Sequence, residues 1–286
     1  MGLAVARRGC DEEVRERREL APRGAAESRG RGEAEQAKIL FAEAEENNLE
    51  LKVLNARLAR WRACSLCKQD YHGVVSCALG WACWKTYVGR PEGDQLFSMA
   101  MNLLGVGLHQ AGHLEDALSV REAMLSILLR IGGPEKNTLL VQGNLASTYH
   151  ELGRLEEALN LYRDVYSGEL KLYGAEHRQT LISVSNYASA LIELKHYEEA
   201  KSLLRKIMPV LRRILGDNDR LTLSMRCSYA QTIYKDPTAT LDDLHAAVTT
   251  LEDAKRTARR VLGGAHPVTG LLEHSLEQAR STFDAP

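Results

Sequence analysis

The chain repeats itself, and the repeat restricts the possible folds more than any other feature does. Thr138, Thr180 and Thr222 stand 42 residues apart, as do Asn144, Asn186 and Ser228, and Ala146, Ala188 and Ala230. Successive repeats fill 137–178, 179–220 and 221–267, the last with extra residues around KDPTATLDD. Upstream, LLGVGLHQAGHLEDAL matches NLASTYHELGRLEEAL at an offset of 41, which adds a first repeat at 95–136. Within 137–178, Leu145, Ala146, Tyr149 and Leu152 mark one apolar stripe at helical spacing. Leu155, Ala158, Leu159, Tyr162 and Val165 mark a second. Gly153 and Gly174 follow the two stripes, where a helix end calls for a residue at positive φ. Neither helix buries its stripe alone, whereas stacking on the next repeat buries both. The expected fold is all-α, a solenoid of antiparallel helix hairpins.

Two motifs give this pattern a family likeness. Leu145-Ala146-x2-Tyr149 followed by Ala158-x3-Tyr162 resembles the tetratricopeptide (TPR) signature. The repeat ends Gly174-x2-His177, Gly216-x2-Asp219 and Gly263-x2-His266-Pro267, with the 42-residue period, resemble the kinesin light chain variety. The likeness covers about 95–267, some 60% of the chain. It implies a right-handed superhelix whose first helix in each repeat lines a concave groove, and a peptide or partner protein as ligand. The positions that would face the groove are Asn102, His109, Asn144, Ser147, His150, Glu151, Asn186, Ser189, Glu193 and Gln231. The resemblance further implies groove asparagines that hydrogen-bond an extended peptide backbone, since an amide donates and accepts at once. Only Asn144 and Asn186 match that role, Leu103 and Ser228 standing at the equivalent places; the alternative is that these amides bond local backbone or water. A chaperone-type clamp on a C-terminal carboxylate would need lysines where Asn102, Leu140 and Ile182 stand.

Outside the repeats, residues 1–33 alternate charge with glycine and read as a disordered tail. Residues 34–94 read as an N-terminal helical segment, interrupted near ENN, with a cysteine-rich stretch at 64–83. Residues 268–286 read as a capping helix. With 37 basic and 38 acidic residues, the net charge of −1 gives no general reason to bind nucleic acid or anionic membrane. The N-terminus lacks a secretory pattern, and no uncharged apolar run reaches the ~18 residues a membrane span needs. Six cysteines are too few for a disulfide scaffold of this length. A cytoplasmic setting is expected.

Two readings compete for CSLCKQDYHGVVSC. Cys64, Cys67, His72 and Cys77 have the order of a zinc knuckle, C-x2-C-x4-H-x4-C, which would make this a small metal module able to touch nucleic acid. Against it, Lys68 and Tyr71 stand where knuckles carry glycines. Cys77, Trp81, Trp84 and Val88, continued by Val74 and Ala78, form a helical stripe that would bury Cys77 in a hairpin. Arg57, Arg60, Arg62 and Lys68, interleaved with Trp61 and Tyr71, read either as a nucleic-acid patch or as a solvated face with inward aromatics. His109 and His113 lack the glutamate of a metalloprotease motif, Gln110 standing in its place. Gly105 and Gly107 read as close helix packing. No phosphate loop, nucleophile elbow or kinase set occurs. The expected function is a non-catalytic scaffold without cofactor, with the zinc module as the alternative.

Overall fold

The computed structural model describes residues 25–47, 51–64 and 69–283. Among them twelve α-helices follow in order: α1 (Ala25–Glu46), α2 (Leu51–Leu58), α3 (Gly73–Tyr87), α4 (Gln95–Gln110), α5 (Leu114–Ile131), α6 (Glu135–Glu151), α7 (Leu155–Tyr173), α8 (Arg178–Glu193), α9 (Tyr197–Leu215), α10 (Arg220–Tyr234), α11 (Leu241–Val261) and α12 (Pro267–Phe283). The described residues hold no β-strand; a single antiparallel bridge, Ala63 with Asp70, closes the loop after the 3-10 turn Ala59–Trp61. The fold is a helical solenoid. The chain divides into two compact units, residues 1–148 and 149–286.

Short-range chemistry sets the helix limits. Inside a repeat, the turn between helices needs a residue in the left-handed region. Gly112 and Gly153 supply it at φ 81° and 75°, at little cost because glycine has no Cβ. Lys195 occupies the same place at φ 63°, a conformation that costs a side-chain-bearing residue energy. Between repeats, the Gly-x2-His/Asp motif is a stop followed by a start. Gly174 and Gly216 end α7 and α9, and three residues later a side chain caps the next helix. His177 Nδ1 accepts from the Gln179 amide at 3.2 Å, Asp219 from Leu221 at 2.8 Å, and His266 Nδ1 from Val268 at 3.1 Å. Asp94 opens α4 in the same way, at 2.7 Å from the Leu96 amide. Each cap satisfies one backbone donor that the first helical turn leaves without a partner. The longer turn of the last repeat is ordered by Asp236, which accepts from the Thr238 amide at 2.8 Å, and by a reciprocal capping box of Thr240 with Asp243.

In the first unit, α3 is the central helix. Leu79, Cys83 and Tyr87 pack on Trp61 and on Ala34 and Ala37 of α1. The opposite side of α3 meets α4 at very short range. A Cβ on Gly107 would lie 2.7 Å from Cys77 Cα, and one on Gly80 would lie 2.8 Å from the Leu103 carbonyl oxygen. A glycine on each helix therefore permits the approach. Gly105, by contrast, leaves ordinary contact distance to the Arg121 side chain, 3.4 Å. Phe97 and Met101 of α4 join Met124, Ile127 and Leu128 of α5 and Val141 of α6 in a further core.

Two expectations are corrected here. The disordered tail was placed at 1–33, but α1 begins at Ala25; residues 1–24 lie outside the described residues. The composition of AAESRGRGEAEQ favours helix despite its charge, and Ala34 and Ala37, 6% and 0% exposed, dock the helix on Trp61. The α3 stripe is also rotated from the expected one. Val74 is 63% exposed and Ala78 faces water, because the buried line runs through Leu79, Cys83 and Tyr87.

In the second unit, the first helices of successive repeats, α8, α10 and α12, pack side by side. α7, α9 and α11 each lie against the neighbouring members of that row. The last core gathers Leu223, Cys227 and Ala230 of α10, Leu251 and Ala254 of α11, and Leu272, Leu276 and Ala279 of α12.

Candidate partner-binding surface

The second helix of every repeat is built on one buried line, which leaves the first helix to carry polar chemistry. That line reads Ala117, Arg121, Met124, Leu128 in α5 and Ala158, Tyr162, Val165, Glu169 in α7. It continues as Ala200, Leu204, Ile207, Leu211 in α9 and Ala247, Leu251, Ala254, Ala258 in α11, all buried. Two members are polar. Arg121, 6% exposed, donates through Nη1 to the Asn144 carbonyl at 2.7 Å and to the Thr148 hydroxyl. Glu169, 2% exposed, accepts from the Ser183 hydroxyl through Oε2, and its carbonyl accepts from Thr180 Oγ1 at 3.3 Å.

Polar side chains on the first helices meet across neighbouring helices. In the first unit, Asn144 of α6 donates through Nδ2 to Asn102 Oδ1 of α4 at 3.2 Å, both half-buried. Ser147 is half-buried one turn further on, and His109 is half-buried near the end of α4. In the second unit, His150 Nε2 lies 2.9 Å from Glu193 Oε2 of α8. Asn186 of α8 is exposed and its amide has no partner among the described residues; Ser189, one turn on, is half-buried. Glu151 is exposed at the end of α6. Gln231 of α10 donates through Nε2 to Ser275 Oγ of α12 at 3.0 Å, and Tyr234 donates to Gln278 Oε1 at 3.0 Å.

The expected set thus divides. Asn102 with Asn144, His150 with Glu193, and Gln231 with Ser275 already hold each other, while Asn186 keeps its full hydrogen-bonding capacity. Ser275 and Gln278 lie outside the expected set, because α12 reads in sequence as a cap although it packs as a further first helix. An amide or hydroxyl facing Gln231 across the 44-residue interval was the signal for them.

Three of the four cysteine and histidine positions of the 64–77 stretch are described. Cys67 lies outside the described residues, and among these no three His, Cys, Asp or Glu side chains converge. Cys77 sits on α3 against Leu104, Leu108 and Ala117, and burial, helped by the charge of Asp116, pushes its thiol up to about 11. Burial pushes the Cys83 thiol up to about 12. His72 is exposed at the head of α3. Of the basic residues nearby, Lys68 lies outside the described residues and the three arginines are engaged within the protein. Arg57 donates to the Leu40 carbonyl, Arg60 to Gln36 Oε1 at 3.4 Å, and Arg62 pairs with Asp70 at 3.3 Å. Trp61 is 2% exposed rather than presented for stacking.

Known proteins place this architecture. A tetratricopeptide repeat family model matches residues 96–168, and a second matches 180–220. No curated protein matches the sequence. Among solved structures, the nearly identical TPR-like repeats of a Podosopora anserina protein of the kinesin light chain kind are similar at 18% identity. That match covers 83% of this chain and 98% of the other, with a TM-score of 0.54. A second structure of those repeats aligns at 16% identity over 82% and 97%, with a TM-score of 0.55. BtubC (BKLC) from P. vanneervenii aligns at 15% identity over 73% and 84%, with a TM-score of 0.52. Taken with the paired helices described above, these matches show tetratricopeptide repeats at 96–168 and 180–220, in a helical solenoid whose fold is like that of kinesin light chain repeats.

Proposed function

We propose that the protein is a non-catalytic scaffold that binds an extended peptide of a partner protein on the first-helix row of its repeats. Asn186 carries this reading. It stands exposed on α8, the helix that also carries Glu193, with its amide free to meet a peptide backbone. Within the first unit, Asn144 offers the same chemistry on a smaller scale, since the bond to Asn102 uses one Nδ2 proton. A scaffold without zinc is favoured over the metal module by Cys77, whose thiol is packed in an apolar cluster and kept protonated. A reducing, cytoplasmic setting is supported by Cys83 and Cys227, each packed as a free thiol in an apolar core. No described helix is long and apolar enough to cross a membrane. We read neither nucleic acid nor membrane as a partner, because Arg57, Arg60 and Arg62 beside Trp61 are engaged within the fold.

The test is selection of peptides from a random library on the full chain, followed by affinity measurement of the best binder. Asn186→Ala should weaken that binder by about 0.5–1.5 kcal/mol, one hydrogen bond, with an unchanged melting temperature. A well-folded Asn186→Ala variant that binds as the parent does would place the ligand elsewhere.

A further inference from the structure

A cationic cleft in the second unit lies on a different side of α10 from Gln231. Arg205, Met208, Pro209 and Arg212 of α9 form one wall, and Arg226 and Tyr229 of α10 form the other, around a volume of about 660 Å³. Pro209 lies inside α9 and has no N–H to offer the Arg205 carbonyl, so the helix loses a hydrogen bond where the cleft opens. Arg226 and Gln231 are five positions apart, about 140° around the helix axis, so the cleft is distinct from the surface proposed for peptide binding.

The repeats supply an internal control for Arg226. Val184, 42 residues earlier, occupies the same place in the preceding repeat and is fully buried. The two repeats before that carry Met101 and Gln142 at this place, so no earlier repeat has a charge there, and this one puts a guanidinium there instead. Its Nε is shut off from solvent and has no hydrogen-bond partner among the described residues. Burial, then repulsion from Arg212, lowers its affinity for a proton, which means the charged form is poorly compensated by the protein itself. Asp217 and Asp253 act on Arg226 only as charges nearby. Asp217 is also the partner of Arg212 at 3.0 Å, and Glu176 that of Arg213 at 2.5 Å. Arg205 has no ion-pair partner among the described residues and is exposed. Two guanidinium groups are left to a ligand.

We propose that this cleft binds the phosphoryl group of a phosphorylated side chain on a partner protein. A phosphoryl group carries about −1.5 to −2 charge, which matches Arg205 plus Arg226, whereas a carboxylate brings one. Arg226 and Arg205 both line the cleft, and a guanidinium grips a phosphoryl oxyanion with paired N–H bonds. Met208, Pro209 and Tyr229 leave an apolar wall beyond the charged end, with room for the side chain that carries the phosphate.

The test uses the full chain labelled with nitrogen-15 and follows the arginine Nε–Hε signals. Capped alanine tripeptides with central phosphotyrosine or phosphoserine are titrated against their unphosphorylated forms and inorganic phosphate, at constant ionic strength. The Arg226 signal, assigned by its loss in Arg226→Lys, should shift with a phosphorylated tripeptide and not with the unphosphorylated ones. Binding should be at least tenfold tighter than for inorganic phosphate. Arg205→Ala changes an exposed side chain and should weaken binding about tenfold, while Asn186→Ala should leave it unchanged. Silence of the Arg226 signal with both phosphorylated tripeptides overturns the proposal, as does parent-like binding by Arg205→Ala. Equal affinity for inorganic phosphate and the tripeptides would make the cleft a free-anion site and overturn it as well.

Discussion

Lys195 shows how a single position can depart from the repeat and still be explained. In the first three repeats the turn before the second helix takes φ > 0; Gly112 and Gly153 adopt it freely, and Lys195 adopts it, at φ 63°, at a cost. A side chain in the left-handed region costs about 1–2 kcal/mol, and glycine's extra freedom in the unfolded chain gives back part of that difference. Lys195→Gly should therefore stabilise the protein by about 0.5–1 kcal/mol, read as a higher midpoint in thermal or urea unfolding. A lowered midpoint would show that the lysine side chain makes a compensating contact. Much at this scale was legible in the sequence. The glycines after each stripe mark the helix ends, and their conformation follows from steric rules alone. Other features were not legible. The Gly-x2-His/Asp signature is visible as a spacing, but its role as an N-cap depends on backbone geometry that starts α8, α10 and α12. The pairing of Asn144 with Asn102 was likewise hidden. A repeat alignment says which residues are equivalent, not which residues face each other across two helices.

Glu169 and Ser183 make the corresponding argument for an element. In the first unit, Leu128 and Val141 occupy these two places and pack in one apolar core. One repeat later the equivalents are Leu211 and Met225, both fully buried. Only α7 with α8 replaces both partners by polar ones, and the replacement is reciprocal: a buried carboxylate oxygen faces a buried hydroxyl. Ser183 also lies 3.2 Å from the Gln179 carbonyl, so it keeps a partner if Glu169 is removed. Glu169 has no such second choice for Oε2. Ser183→Val should cost about 1–3 kcal/mol by leaving a buried acceptor unsatisfied. Glu169→Leu should be nearly neutral, and the double variant should recover or exceed the parent, because well-packed apolar pairs replace buried polar pairs without loss. A double-mutant cycle in urea measures this coupling; additive effects would contradict it. The coupled exchange is present in the sequence once the repeats are aligned, yet a polar residue on a helical stripe reads first as a solvated position. Burial decides, and burial depends on which helix stacks on that face.

At the scale of the whole molecule, a repeat protein gains stability from neighbour to neighbour, so its ends matter more than its length suggests. α12 ends the described chain, and its Leu272, Leu276 and Ala279 are buried on α10 and α11, where Leu223, Cys227 and Leu251 receive them. Gln231 and Tyr234 of α10 bond Ser275 and Gln278 of α12. Deleting 267–286 therefore removes two leucines' worth of burial, about 3–6 kcal/mol, and exposes the apolar row that they cover. The loss should be local. Amide exchange should quicken over α10 and α11, less over α8, and stay unchanged over α4 and α5, because each helix draws its stability from those it touches. Leu272→Ala should reproduce the effect in weaker form, costing about 2–5 kcal/mol with the same spatial decay. Hydrogen exchange read by mass spectrometry follows every helix in one experiment. Uniform acceleration across the chain would show that the repeats unfold as a single cooperative block, and the nearest-neighbour account would then fail.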